Sequence, residues 1–356
     1  MWSWRGRLGA ATWMIVLLLT LGVKAQPAPE PPPTAAARDT PARGAWPIAA
    51  SLVLGPLAHG AGHFVAEERS TAMRLLAAEG IGVLAAGAGL GALALTGASE
   101  KTAAPLIGVT ALGVGLLATS FLADVYGVVA PPGGFGQAVL RPTVQAEAGV
   151  FAVIDPVFAY DALAYVGGRA WLGRHSLLLE AHVGVDHDNQ RLRGIYAYRF
   201  FERDAATYCD IELGAVHHRF APERFSTSFA EAAVSGRLGL EHVAPTLQGA
   251  FVEGTFGMAF GAHRYFDEDT ESDELLLLRV GFGFFIGDGG SWLLYYDHRH
   301  DGYAAGLKIP GIGSGVLGHP GMLLQYYVSQ DWGVALRAET GSAHVLGVSL
   351  LLRRKP

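Results

Sequence analysis

From Thr143 to Arg353 the hydrophobic pattern repeats every second residue, a period that suits a strand and defeats a helix. In the run Leu278–Ile286, one side carries Leu278, Val280, Phe282, Phe284 and Ile286, and the other carries Arg279, Gly281, Gly283 and Phe285. Leu177, Leu179, Ala181, Val183 and Val185 oppose Leu178, Glu180, His182, Gly184 and Asp186 in the same way. The runs Ala230–Glu241 and Val345–Leu352 repeat it. One face is wholly apolar, and the other mixes Gly, Ala and Ser with charges of both signs. A soluble sandwich turns a charged face to bulk water and packs large side chains inside. A transmembrane barrel does the reverse, with an apolar outer wall and a polar interior.

Composition agrees. Only 16% of residues are charged, against about 25% in an ordinary soluble domain, and 48 of 356 are Gly. The net charge of −6 comes without a basic block, so a nucleic-acid partner has no electrostatic footprint. Residues 1–25 read as a signal peptide: Arg5 and Arg7, the apolar run Leu8–Val23, then Val23-Lys24-Ala25 as the cleavage site. Residues 26–45 are a Pro/Ala-rich linker, and Cys209, the one cysteine, excludes an intrachain disulfide.

Residues 46–132 are apolar and helical in pattern. Gly80–Gly97 and Thr102–Ala123 carry no charge, and Ser99-Glu100-Lys101 turns one run into the next, which predicts an αα-hairpin dense in Gly87, Gly91, Gly108 and Gly115. Two placements stay open. The hairpin anchors the chain in the inner membrane with the strands as a periplasmic domain, or it docks on the periplasmic side of a barrel or in its lumen. Pro56–Phe64 resembles the Gly-x-Gly-(Gln/His)-aromatic start of small bacterial helical-hairpin proteins and implies no activity. Gly87–Ala92 matches a dinucleotide fingerprint only formally, since no strand precedes it, and no cofactor is expected.

Residues 143–353 divide into about twelve segments: 143–154, 161–172, 176–186, 192–202, 206–217, 229–242, 247–261, 274–286, 291–300, 322–330, 332–340 and 343–353. Tight connections alternate with longer ones, and Trp171, Tyr265, Phe266, Trp292, Tyr326 and Trp332 sit near strand ends as interfacial aromatics do. Together these features resemble a bacterial outer-membrane β-barrel protein. That resemblance implies a mainly β fold, an antiparallel transmembrane barrel behind a helical hairpin. It also implies outer-membrane residence, contact with membrane lipid, assembly by the barrel assembly machinery, and a structural, scaffold or passive transport role. The chain departs from the family pattern by ending on Arg353-Arg354-Lys355-Pro356, where such barrels commonly end on an aromatic residue.

The inner face should bring Glu180, Asp210, Glu212, Glu231, Glu241 and Glu253 towards Arg169, Arg237, Arg279, Arg299 and Arg337. These charges either line a channel or pair to fill a closed lumen. The densest polar stretch is Tyr295–Asp301, where His298, His300 and Asp301, with His319 beyond, are candidates for a metal site or a general base, or form a solvated rim. His300–Gly311 resembles the His-x-Ser-Asn-Ala-Gly stretch of lipid A 3-O-deacylases, outer-membrane barrels that cleave an ester-linked acyl chain. Gly302 stands at the serine position, so a hydrolase of that kind would need another nucleophile, and Ser314 is the nearest.

Overall fold

The computed structural model describes residues 44–97, 100–139, 141–156, 161–220, 224–265, 270–309 and 313–354. The signal peptide and most of the Pro/Ala linker lie outside the described residues, as do Ser99 and Phe266. Four helices come first: α1 (Ala45–Val53), α2 (Ala61–Val65), α3 (Arg69–Thr96) and α4 (Glu100–Val129). A two-residue strand β1 (Gly136–Gln137) leads to β2 (Val144–Ile154), β3 (Asp161–Leu172), β4 (His175–Gly184), β5 (Gln190–Asp204), β6 (Thr207–Phe220) and β7 (Phe225–Gly239). The chain continues through β8 (Ala250–Tyr265), β9 (Thr270–Asp288), β10 (Gly290–Asp297), β11 (Leu307–Ile309), β12 (Gly313–Leu317), β13 (His319–Tyr327), β14 (Trp332–Thr340) and β15 (His344–Arg354).

Every strand of the sheet except β1 pairs antiparallel with both neighbours, and β15 returns to β2 with Leu352 opposite Ala146. The result is a closed twelve-stranded barrel without a free edge. Cross-strand partners share a face, so Arg237 opposite Glu253 and Glu253 opposite Gly281 put those residues inside. The outer wall carries Val166 (59% exposed), Leu179 (58%) and Leu350 (46%), side chains that only lipid would solvate well. Barrel ends differ as the alternation predicts. Short turns such as Gly173-Arg174 lie at the end holding the chain termini, and the long connection from β10 to β13 lies at the other. These are the turn end and the loop end of the barrel.

Several boundaries differ from the sequence expectation. Strand β13 starts at His319, ahead of residue 322, because Pro320 sits at the rim, where a missing N–H is tolerated. Strand β7 spans Phe225–Gly239 and is followed by a 3-10 turn, Leu240–His242, which takes Glu241 off the inner face. The long β10–β13 connection holds a small ladder of its own, β11 on β12.

The hairpin's position is the main correction. It lies neither in the lumen nor below the barrel, but along the outer wall of β8 and β9. A Cβ on Gly115 would stand 2.7 Å from Val280, and one on Gly108 would stand 3.5 Å from Phe256. Tyr126 packs at 5.5 Å on Phe284 and 6.3 Å on Phe282, and its hydroxyl donates to the Gln248 carbonyl at 2.7 Å. Val280, Phe282 and Phe284 therefore point outward, as their parity requires, but they meet a helix. Small residues are spent differently from the expectation too. Gly82, Gly89 and Gly113 lie in the α3–α4 contact, Gly108 and Gly115 face the barrel, and a Cβ on Gly87 or Gly91 would enter open space. Gly97, at φ 64°, adopts the left-handed turn that ends α3.

The two carboxylates that interrupt the apolar runs, Glu79 and Asp124, are both hydrogen-bonded locally. Asp124 accepts hydrogen bonds from Ser51 (2.8 Å) and from the Gly62 and His63 N–H groups, and its carboxylate meets His63 Nδ1 at 2.6 Å. Glu79 accepts the His59 N–H at 2.9 Å, while His59 Nδ1 meets Ser120 at 2.6 Å. This polar knot straps α1 and α2 across the base of the hairpin.

Two outcomes follow from this geometry. Leu179→Arg should destabilise the folded barrel by about 2–4 kcal/mol, read from urea unfolding in lipid vesicles. Gly115→Leu should leave the barrel folded and free the hairpin. With a protease site placed at residues 131–135, the cut halves should co-purify in the parent and separate in the variant.

Candidate functional site

Inward-pointing residues of β3 to β9 and β14 build the lumen from their parity alone. Glu180, Asp210, Glu212, Glu231, Arg237, Glu253, Arg279, Arg299 and Arg337 all line one cavity of about 390 Å³. Three groups of contacts organise it. Arg237 holds Glu253 at 2.9 Å, and Arg279 stands 3.9 Å from the same carboxylate. Arg199 grips Asp210 through two nitrogens at 2.7 and 3.0 Å. Arg193 bridges Glu231 (3.0 Å) and Glu180 (3.7 Å), and Arg299 closes on Glu231 from the far side. Glu212 accepts the Ser235 hydroxyl at 2.6 Å. Guanidinium faces also stack on rings, Arg279 at 3.9 Å over Tyr295 and Arg237 at 4.1 Å over Phe251. Opposite charges at these spacings inside a protein wall neutralise one another, and what is left is a polar filling.

Chain and side chains enter the lumen from both ends. At the loop end the chain after β10 folds back into the lumen. Arg299 contacts Asp301 through two hydrogen bonds, one at 2.8 Å, and Arg191 reaches the same carboxylate at 3.6 Å. Tyr303 follows, its ring edge-on to His182 (5.5 Å) and His218 (5.0 Å), in a cluster with Phe151, Val153, Leu163 and Tyr165. At the turn end Phe251 and Phe285 meet at 4.8 Å, and Ala138, just past β1, packs on them.

The candidate chemistry of the plug does not gather. His298 is buried, its Nδ1 2.9 Å from the Tyr296 hydroxyl, and its ring lies 4.9 Å edge-on to that of His300. His319 is buried on β13. Among the described residues, His298, His300 and His319 do not place three ligand atoms within 4.8 Å of one another; the group that does is Asp204, Glu241 and His242, at the turn end. Asp301 is committed to Arg299 and Arg191. Ser314 lies on β12, and its side chain falls outside the described residues.

Arg191, Arg193 and Arg199 were not singled out in the sequence, yet they share one parity on β5 with Ile195 and Ala197, opposite Leu192, Gly194 and Tyr196. Alternation alone identifies them. The inward turn of Asp301 and Tyr303 has no such signal, because a loop carries no period.

The plug yields a pH and a mutational prediction. Burial alone would raise the Asp301 carboxyl, but Arg299 and Arg191 outweigh it and hold the group well below its ordinary range. A depressed folded pKa contributes stability above the unfolded value of about 3.9, and that stability is lost as pH falls below it. The loop should resist protease at neutral pH and open in acid, with Asp301→Asn weakening it at neutral pH and flattening the response. Arg299→Ala leaves Glu231 with Arg193 and Asp301 with Arg191 alone, so the cost should stay below the about 3–5 kcal/mol of a fully broken buried pair. Its urea midpoint should fall, and protease should cut the loop at neutral pH.

No protein-family model matches the chain, and no curated protein does. Among solved structures it is similar to the NanC porin (7% identity, 59% of this chain and 99% of that one, TM-score 0.40). It is also similar to the KdgM porin in complex with disordered oligogalacturonate (6%, 58% and 98%, TM-score 0.38). The third is outer membrane phospholipase A from Escherichia coli (11%, 60% and 94%, TM-score 0.37). The chain is thus a twelve-stranded antiparallel barrel that resembles outer-membrane barrels in architecture, and its site has to be read from its own residues.

Proposed function

We propose that the protein resides in the outer membrane as a sealed barrel with a structural or scaffold role and does not conduct solutes. The observation that carries this reading is the Arg299–Asp301 loop. It is folded into the lumen, tied to Glu231 and Arg191, and capped by Tyr303. Passive transport would need a continuous wet path, and the paired charges and packed rings at both mouths work against one. The apolar outer wall and closed ladder support insertion into lipid by the barrel assembly machinery after secretion across the inner membrane. The hairpin, clamped to β8 and β9, then adds two helices to the membrane-embedded surface. In this reading His298, His300 and Asp301 help shape the plug and have no catalytic part.

Purified protein in planar bilayers should show no single-channel conductance at neutral pH. The double variant Arg299→Ala/Asp301→Ala should show flickering openings. Steady conductance by the parent protein would overturn the sealed-lumen reading.

A further inference from the structure

Between β7 and β8 the chain leaves the ladder in two 3-10 turns, Leu240–His242 and Pro245–Leu247, and the base of the hairpin rests on them. Leu240, Ala244 and Leu247 pack with Leu75 of α3 and Tyr126 of α4. Arg74 donates to the Val243 carbonyl, the Thr71 and Thr246 hydroxyls meet at 3.0 Å, and Tyr126 donates to the Gln248 carbonyl. Off the ladder, the position of this docking segment depends on its side-chain contacts with the barrel.

The first of these turns also brings Glu241 and His242 to Asp204, the last residue of β5. His242 Nε2 lies 2.7 Å from Asp204 Oδ2, and Glu241 adds a carboxylate oxygen within 4.8 Å of a ligand atom from each. Asp204 Oδ1 accepts the Ala206 N–H at 2.9 Å, which orients the carboxylate on its own turn. The Glu241 carboxylate folds back over Gly239, where a Cβ would stand 2.5 Å from its Oε1. In the lumen, Glu180, Asp210, Glu231 and Glu253 each meet a guanidinium, but among the described residues no arginine or lysine pairs with Asp204 or Glu241. Two carboxylates so placed repel each other, and a cation between them removes the repulsion. The Asp204 and His242 side chains are 37% and 19% exposed, so an ion can reach them from solution.

We propose that Asp204, Glu241 and His242 bind a Zn²⁺ ion, and that the ion clamps the hairpin's docking segment to the β5–β6 turn. An imidazole nitrogen with two carboxylate oxygens is a ligand set that zinc takes, and three protein ligands leave a fourth place for water. The imidazole sets the site apart from Ca²⁺ and Mg²⁺ sites, whose ligands are oxygens. Two ligands on a tetrahedral zinc stand about 3.3 Å apart, so the His242–Asp204 contact opens by roughly 0.6 Å on binding. The ion then adds a link between the end of β5 and the segment whose Val243, Thr246 and Leu247 hold the hairpin. None of the three ligands lines the lumen cavity, so the proposal is independent of whether the lumen is sealed.

The test uses the full-length mature protein without an affinity tag, folded into lipid vesicles and stripped with a chelator. Titration calorimetry with zinc chloride should show stoichiometric binding that excess calcium chloride does not displace. His242→Ala and Glu241→Gln should lose it, and His298→Ala/His300→Ala should keep it. Gly239→Ala is compatible with the backbone at φ −66° and displaces the Glu241 carboxylate, so zinc should weaken by about 10–100-fold. Heat-modifiability gels establish that each variant is folded. Docking is read with the protease site at residues 131–135. Zinc should raise the urea concentration at which the cut hairpin leaves the parent barrel and should change nothing in His242→Ala. Folded protein that binds no zinc, zinc retained in full by His242→Ala, or bound zinc that leaves the urea midpoint unchanged each overturns the proposal. All three results leave the sealed barrel standing, whereas conductance by the parent protein would remove the sealed barrel and leave this site intact.

Discussion

Closure of the ladder between β15 and β2 is the interaction on which everything else depends. In hydrocarbon an unpaired N–H or C=O costs several kcal/mol, so a sheet that crosses lipid has to end where it began. Eleven register pairs, from His344–Ile154 to Arg354–Val144, join the last strand to the first long one. Closure then sets parity for the whole molecule. Once Leu346, Val348, Leu350 and Leu352 face out, Val345, Gly347, Ser349 and Leu351 have to face in, and the same holds around the ring. The lumen chemistry is a consequence of that constraint: arginines and carboxylates sent inward by parity come within bonding distance of one another and fill the space.

The helical hairpin obeys a different rule. Residues Arg69–Thr96 would span about 42 Å at 1.5 Å per residue, longer than the apolar band of about 25 Å. Apolarity does not decide where such a helix rests in a membrane, because lipid tails are as apolar as Leu. Close contact decides it. Gly115 lets α4 approach Val280, Gly82 and Gly113 let α3 approach α4, and the Ser51–Asp124–His63 knot fixes the base. Helix and wall together bury Leu75, Tyr126, Leu247 and Phe282 in one cluster.

Much of this was legible in the sequence, for a physical reason. A period of two is written in neighbouring residues, so the strands and their outer and inner faces could be read from alternation. The αα-hairpin was legible from two uncharged runs and a polar turn. Its site of attachment was not, because Gly87 and Gly115 look alike in sequence, and only the fold shows which one meets Val280. The plug escaped for the same reason. Asp301 and Tyr303 belong to a connection without periodicity, and the partners that pull them inward, Arg191, His182 and His218, come from strands far away in the chain.

The central claim is that a closed barrel carries its helical hairpin on the lipid-facing wall of β8 and β9. Spin-label accessibility tests it most directly, with Cys209 replaced by Ala and single cysteines at Leu179, Glu180 and Val280 in outer-membrane vesicles. Oxygen, which partitions into lipid, should relax the label at Leu179 strongly. The label at Glu180 should be shielded from oxygen by its place in the lumen. The label at Val280, outward by parity but beneath α4, should be shielded as well and become oxygen-accessible when Gly115 is changed to Leu. Equal oxygen accessibility at Leu179 and Val280 in the parent would contradict the account.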